Sequence, residues 1–133
     1  MWEQEIDIYA VREIRARTTV FFGVGAIQKI DDICADLKAR GIARLIVVTG
    51  KGAYKKTGAW DHVAKAFKRY GITYVHYDKV TPNPNTYHVN EAAKLAHDFD
   101  AQAMLAIGGG SAIDAGKSVA ILMKYPGKTA EDI

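Results

Sequence analysis

Ile107-Gly108-Gly109-Gly110-Ser111-Ala112-Ile113-Asp114-Ala115-Gly116-Lys117 reads as the end of a strand, a glycine turn and the start of a helix. The aliphatic run Ala103 to Ile107 enters it, and an apolar-periodic stretch leaves it, reaching about Lys124 before Tyr125-Pro126-Gly127 stops it. A turn needs one glycine. Three in succession at the carboxyl end of a strand let a backbone approach a ligand, and a following helix offers unpaired N–H groups and a positive dipole end. An anion such as phosphate is the ligand this geometry suits. Ser111 and Asp114 have the spacing of a capping-box-like start, with Ser111 as cap and Asp114 reaching back.

Spacing excludes two familiar phosphate loops. Counting back from Gly116-Lys117-Ser118 puts Ser111 where a P-loop requires its first glycine. The dinucleotide fingerprint Gly-x-Gly-x-x-Gly fails as well, because Gly108-x-Gly110 is followed by Ile113, and Gly23-x-Gly25 by Gln28.

Outward from this turn, strand-length apolar runs alternate with helix-length amphipathic stretches, the pattern of a parallel α/β fold. Thr18 to Phe22 reads as a strand closed by the Gly23-Val-Gly25 turn. Ile27, Ile30, Ile33, Cys34 and Leu37 form one stripe of a helix from Ala26 to Arg40, which Gly41 can cap. Arg44 to Val48 is nearly all aliphatic, as a central strand covered on both faces requires. Thr49 to Gly58 carries three glycines and three lysines and is read as a loop. Trp60, Val63, Ala64 and Phe67 then mark a helix ending at Gly71, followed by a strand from Thr73 to Tyr77. Thr81-Pro-Asn-Pro-Asn85 breaks regular structure, and Asn85 or Thr86 can cap a helix whose stripe is Val89, Ala92, Ala93 and Ala96. Lys128 to Ile133 shows no element of its own.

The composition limits function. With 133 residues, 49% hydrophobic and 25% charged, the chain is one globular domain, and neither disorder nor a fibre fits. No apolar run reaches the ~18 residues of a membrane span, and the charged first seventeen residues do not resemble a signal peptide, so no membrane role and a cytoplasmic location are expected. Eighteen Lys plus Arg against fifteen Asp plus Glu give a charge of +3, too little to argue for nucleic acid. Cys34 is the single cysteine and is read as core. His62, His76, His88 and His97 lack ligand spacing, so no metal site is expected within the chain.

Phe22-Gly-Val-Gly-Ala26, Thr49 with its glycine-lysine turn, Val80-Thr-Pro-Asn-Pro84 and above all Gly108-Gly-Gly-Ser-Ala-Ile-Asp-Ala-Gly-Lys117 resemble, in this order, the N-terminal half of the iron-containing (group III) alcohol dehydrogenases. That superfamily also includes glycerol dehydrogenase and dehydroquinate synthase. The stretches Thr49 to Gly58 and Tyr74 to Lys79 look most like its archaeal and thermophilic members. The resemblance implies a Rossmann-like parallel sheet flanked by helices, as in the dehydroquinate synthase-like N-terminal domains, and hydride transfer between a nicotinamide coenzyme and a small alcohol or aldehyde.

Carried over position by position, the resemblance places Gly109, Gly110 and Ser111 on the coenzyme pyrophosphate, Asp114 beside the coenzyme, and Asn83 toward the adenosine end. Asn85 and Gly116 depart from the family, which usually has threonine and alanine there. A Thr-Asp pair, whose carboxylate would meet the ribose 2′-hydroxyl, is replaced by Thr49-Gly50. With Lys51, Lys55 and Lys56 on the same loop, the expected coenzyme is NADP rather than NAD. The family's iron is held by a helical C-terminal domain, expected outside this chain. The chain would then be a coenzyme-binding domain, inactive alone, with an apolar face inclined to self-association and a homo-oligomeric state. A glycerol dehydrogenase-like enzyme and a stand-alone, non-catalytic nucleotide-binding module are the alternatives.

Overall fold

The computed structural model describes residues 26–82 and 86–132, so the expected strand Thr18 to Phe22, the Gly23-Val-Gly25 turn and the Asn85 cap lie outside the described residues. Among the described residues three parallel strands, β1 (Arg44–Thr49), β2 (Thr73–Tyr77) and β3 (Ala103–Ile107), form one sheet in the order β2-β1-β3. Leu45 stands opposite Tyr74 on one side and Ala103 on the other, and Thr49 opposite Ile107. The helices are α1 (Ile30–Ala39), α2 (Ala53–Lys56), α3 (Ala59–Tyr70), α4 (Thr86–Phe99) and α5 (Gly110–Met123), with 3-10 turns at Ala26–Lys29 and Ala130–Asp132. No helix among the described residues is long and apolar enough to cross a membrane.

The aliphatic run of β1 has a direct physical cause. Side chains alternate across a strand, so Leu45 and Val47 pack with Ile30, Cys34, Val63, Ala66 and Phe67 of α1 and α3, while Ile46 and Val48 pack with α4 and α5. Both faces are covered, and β1 is the middle strand. The α4 stripe is buried at all four expected positions, Val89, Ala92, Ala93 and Ala96.

Several local expectations change. The helix from Ala26 begins as a 3-10 turn, and only Ile30 and Cys34 of its stripe are fully buried; Ile27 and Ile33, at the stripe's margins, are exposed. Gly41 follows with φ +79, and the Ile42 N–H returns to the Leu37 carbonyl, closing the helix as a glycine stop. The segment read as a loop from Thr49 to Gly58 contains α2, because Tyr54 buries its ring against Trp60 and His76 and anchors one helical turn. Near the end, the Ala130 N–H donates to Asn90 Oδ1, and Glu131 accepts from Asn90 and Thr86, which fastens a short turn where no element was expected.

Cys34 is fully buried, and burial together with Asp31 pushes its thiol up to about 11. Since only the thiolate reacts, native protein at pH 8 should leave a disulfide reagent such as dithionitrobenzoate untouched, while one thiol should titrate in denaturant. Rapid labelling of the native chain would contradict this packing.

Candidate functional site

The loops at the carboxyl ends of β1 and β3 enclose a cleft of about 320 Å³. One wall is Gly50, Lys51 and Tyr54; the other is Ile107, the Gly108-Gly109-Gly110 turn, Ser111 and Ala112; Val80, Thr81 and Pro82 form the floor between them. Open parallel sheets place ligands here, beyond the strand ends where connections diverge to opposite faces. In this chain the point of divergence lies between β1, whose chain leaves toward α3, and β3, whose chain leaves toward α5.

Each part of the turn has a reason. Gly108 has φ +141, a conformation that side-chain-bearing residues rarely adopt, and it swings the chain from β3 into the cleft. Gly109 is extended (φ −80, ψ −168) and precedes the first residue of α5, so no side chain caps that helix. This corrects the expected role of Ser111. Its hydroxyl donates to the Pro82 carbonyl at 2.7 Å, tying the loop after β2 to the start of α5 instead of capping the helix. Asp114 does not complete a capping box either. It lies one turn further along α5, exposed and outside the cleft lining. Asn83 lies outside the described residues, although Thr81 and Pro82 just before it form part of the floor.

The cleft suits an anion by both shape and charge. A Cβ at Gly109 or Gly110 would meet no atom of the other described residues within 4 Å beyond its immediate chain surroundings, so among them the space above the turn is open. The first N–H groups of α5 have no intrahelical acceptor and, among the described residues, no side-chain cap, leaving donors and a partial positive charge facing that space. Among the described residues Lys51 is the only charged one in the lining. Lys55 lies outside it, with its ammonium 5.8 Å from the Tyr54 ring centroid, and Lys56 is exposed elsewhere on the loop. Of the three lysines expected to draw in a 2′-phosphate, the fold therefore brings Lys51 to the site.

Sequence reasoning missed Tyr54, which both lines the cleft and packs the core beneath it. The available signal was one aromatic inside a polar segment. It also missed the pairing of buried Thr49 with His76, whose imidazole Nε2 is 2.8 Å from the Thr49 hydroxyl. Burial holds His76 below the usual imidazole range; Asp78 pulls it upward, and Lys55 pushes it further down.

A second cleft, of about 280 Å³, lies where Asp78 and Lys79 after β2 face Glu91, Lys94 and Asp98 of α4. Three of its charged side chains are engaged: Lys94 pairs with Asp98 at 3.2 Å, and Glu91 accepts from the Tyr77 and Tyr87 hydroxyls. Those two bonds hold Glu91 below the usual carboxylate range. Among the described residues no three His, Cys, Asp or Glu side chains gather into a metal site, so they offer no donor set for iron.

The profile of the family described as "Iron-containing alcohol dehydrogenase" matches residues 17–133. The chain belongs to the iron-containing alcohol dehydrogenases. Among its relatives, it is 48% identical over 133 residues to the long-chain primary alcohol dehydrogenase AdhA of Thermoanaerobacter ethanolicus, covering all of this chain and 33% of that protein. It is 37% identical over 112 residues to the NADH-dependent butanol dehydrogenase A of Clostridium acetobutylicum, covering 84% of this chain and 28% of that one. The crystal structure of NADH-dependent butanol dehydrogenase A from Thermotoga maritima superposes with a TM-score of 0.74 at 37% identity, covering 83% of this chain and 27% of the other. The three-stranded parallel sheet and its helices are thus the N-terminal Rossmann-like domain of an iron-containing alcohol dehydrogenase. The chain spans about a third or less of the length of these relatives. Relatives named for NADH and relatives named for NADPH both occur among the matches.

Proposed function

We propose that this chain is the coenzyme-binding domain of an alcohol dehydrogenase and takes NADP(H) in preference to NAD(H) in the cleft between β1 and β3. The observation that carries the reading is the lining of that cleft, in which Gly50 and Lys51 face the Gly108-to-Ser111 turn across a space to which none of the described residues contributes a carboxylate. The turn and the first N–H groups of α5 hold the pyrophosphate. Gly50, lacking a carboxylate, leaves room for a 2′-phosphate, and Lys51 supplies its counter-charge. Bound there, the nicotinamide coenzyme supplies or accepts the hydride exchanged with a small alcohol or aldehyde in the whole enzyme. The chain's own residues orient the dinucleotide, while substrate and iron are engaged by residues outside those described. The domain by itself oxidises no alcohol, and the whole enzyme is a homo-oligomer in the cytoplasm.

The test is calorimetric titration of NADP+ and NAD+. Unmodified protein should bind NADP+ more tightly, and Lys51→Ala should remove about 1 to 2 kcal/mol of that preference, the scale of one exposed charge-assisted contact. Gly50→Asp should shift the preference toward NAD+ by about 1 to 3 kcal/mol, through one hydrogen bond gained and one repulsion introduced. A Cβ at Gly50 would lie 3.3 Å from the Val80 carbonyl oxygen, so Gly50→Ala separates that steric contact from the charge. Equal or tighter NAD+ binding by the unmodified protein would refute the NADP assignment.

A further inference from the structure

We propose that His76 is a positioning residue for the coenzyme site, acting through Thr49 on the Gly50–Lys51 peptide that forms one wall of the cleft. The inference rests on the reading of that cleft given above. Thr49 is the last residue of β1 and is fully buried. Its hydroxyl donates to the Gly50 carbonyl at 2.7 Å. A hydroxyl has one proton, so toward His76, at 2.8 Å, the same oxygen can only accept. This fixes the proton of the imidazole on Nε2 and makes a directed chain from His76 through Thr49 to Gly50. In a trans peptide the C=O and the following N–H point opposite ways, so holding the Gly50 carbonyl on Thr49 turns the Lys51 N–H away from that contact. Gly50 and Lys51 both line the cleft, so the chain sets how their shared peptide faces the ligand.

The imidazole is itself clamped. Trp60 stacks on it with ring centroids 5.4 Å apart and planes 17° from parallel, and Tyr54 meets it edge-on at 4.9 Å. Tyr54 reaches the cleft lining too, so one ring touches both the relay and the site. The charged neighbours are Asp78 and Lys79 beyond the end of β2, Lys55 beside Tyr54, and Glu91, Lys94 and Asp98 of α4, which share the smaller cleft that His76 borders. Because Nε2 carries a proton in this neutral tautomer and in the cation alike, side-chain chemistry rather than pH is the lever on the relay.

The experiment compares NADP+ titrations of four variants with the unmodified protein. His76→Phe keeps an aromatic ring for Trp60 and removes the donor; Thr49→Val keeps the shape and removes the hydroxyl. Each should weaken NADP+ by about five- to tenfold, the scale of one hydrogen bond. The double variant should be no weaker than either single one, because both break the same chain. His76→Gln, which retains an N–H donor, should stay within about twofold of the unmodified protein. Unchanged affinity in His76→Phe with only a lowered melting temperature, or losses that add in the double variant, would overturn the proposal. If the unmodified protein binds neither NADP+ nor NAD+, the cleft reading fails, and nuclear magnetic resonance still decides the relay. The Lys51 amide shift should move in His76→Phe and return towards its original position in His76→Gln, and His76→Phe should no longer move it in a Thr49→Val background; a Lys51 amide indifferent to His76→Phe would overturn it.

Discussion

Replacing Gly109 with valine is expected to lower the affinity for NADP(H) by at least about a hundredfold while the domain stays folded. The backbone at Gly109 is extended, so a β-branched residue adopts it without left-handed strain, and among the described residues its Cβ would meet no atom within 4 Å beyond its chain neighbours. The protein therefore pushes back little. The isopropyl group instead fills the open space above the turn and covers the N–H groups that begin α5. Two such charge-assisted bonds, at about 1.5 to 3 kcal/mol each, account for the size of the loss. Valine is also a poor residue to precede a helix, which costs up to about 1 kcal/mol of stability, well inside the margin of a domain this size. Paired calorimetric titration and thermal unfolding check both halves; undiminished binding by a folded Gly109→Val protein would remove the turn from the site.

Gly116→Val should have the largest effect on stability, about 3 kcal/mol, and should weaken the site with it. Gly116 lies on the face of α5 that rests on β3, and a Cβ there would stand 2.9 Å from the Ala106 Cβ and 2.9 Å from the Met104 sulfur. Met104 can swing its flexible end aside. Ala106 cannot, because its Cβ is fixed to the backbone of β3, so α5 must lift off the sheet. Helix propensity alone points the other way: valine is a somewhat better helix former than glycine, by a few tenths of a kcal/mol. The contact outweighs it. Since α5 also presents Gly110 and Ser111 to the cleft, a lifted helix should bind coenzyme less well. Urea unfolding decides the first half, and a stability within roughly 0.5 kcal/mol of the unmodified protein would show that α5 and β3 are not so closely packed.

Gly116 also shows where sequence reasoning stops. From the chain alone it is a departure from the family's alanine that weakens a helix slightly; in the fold it is the point of closest approach between helix and sheet. Periodicity could not reveal this, because the partner atoms belong to β3, ten and twelve residues earlier. The β1 run and the α4 stripe were legible because burial on both faces, or along one stripe, writes itself into consecutive residues. The glycine turn was legible for a related reason, since three glycines have few other uses at a strand end. Ser111 was misread because its serine-to-aspartate spacing fits a capping box, whereas the Pro82 carbonyl, 29 residues away in the chain, takes its hydroxyl. α2 stayed hidden because a single buried ring, Tyr54, holds three polar or small residues with it in a helical turn. The Thr49–His76 pair joins adjacent parallel strands 27 residues apart, and only the register of β1 on β2 brings them together.

In the proposed function one cleft holds the coenzyme, with its pyrophosphate on the glycine turn and its 2′-phosphate at Gly50 and Lys51. Titrating NADP+ into isotopically labelled protein and following the backbone amides by nuclear magnetic resonance tests it most directly. Saturable movement of the Gly109, Gly110, Ser111 and Ala112 amides with those of Gly50 and Lys51 is expected, with smaller movement of the last two on adding NAD+. Movement confined to Asp78, Glu91 and Asp98 around the other cleft, or no saturable movement at the glycine turn, would contradict it.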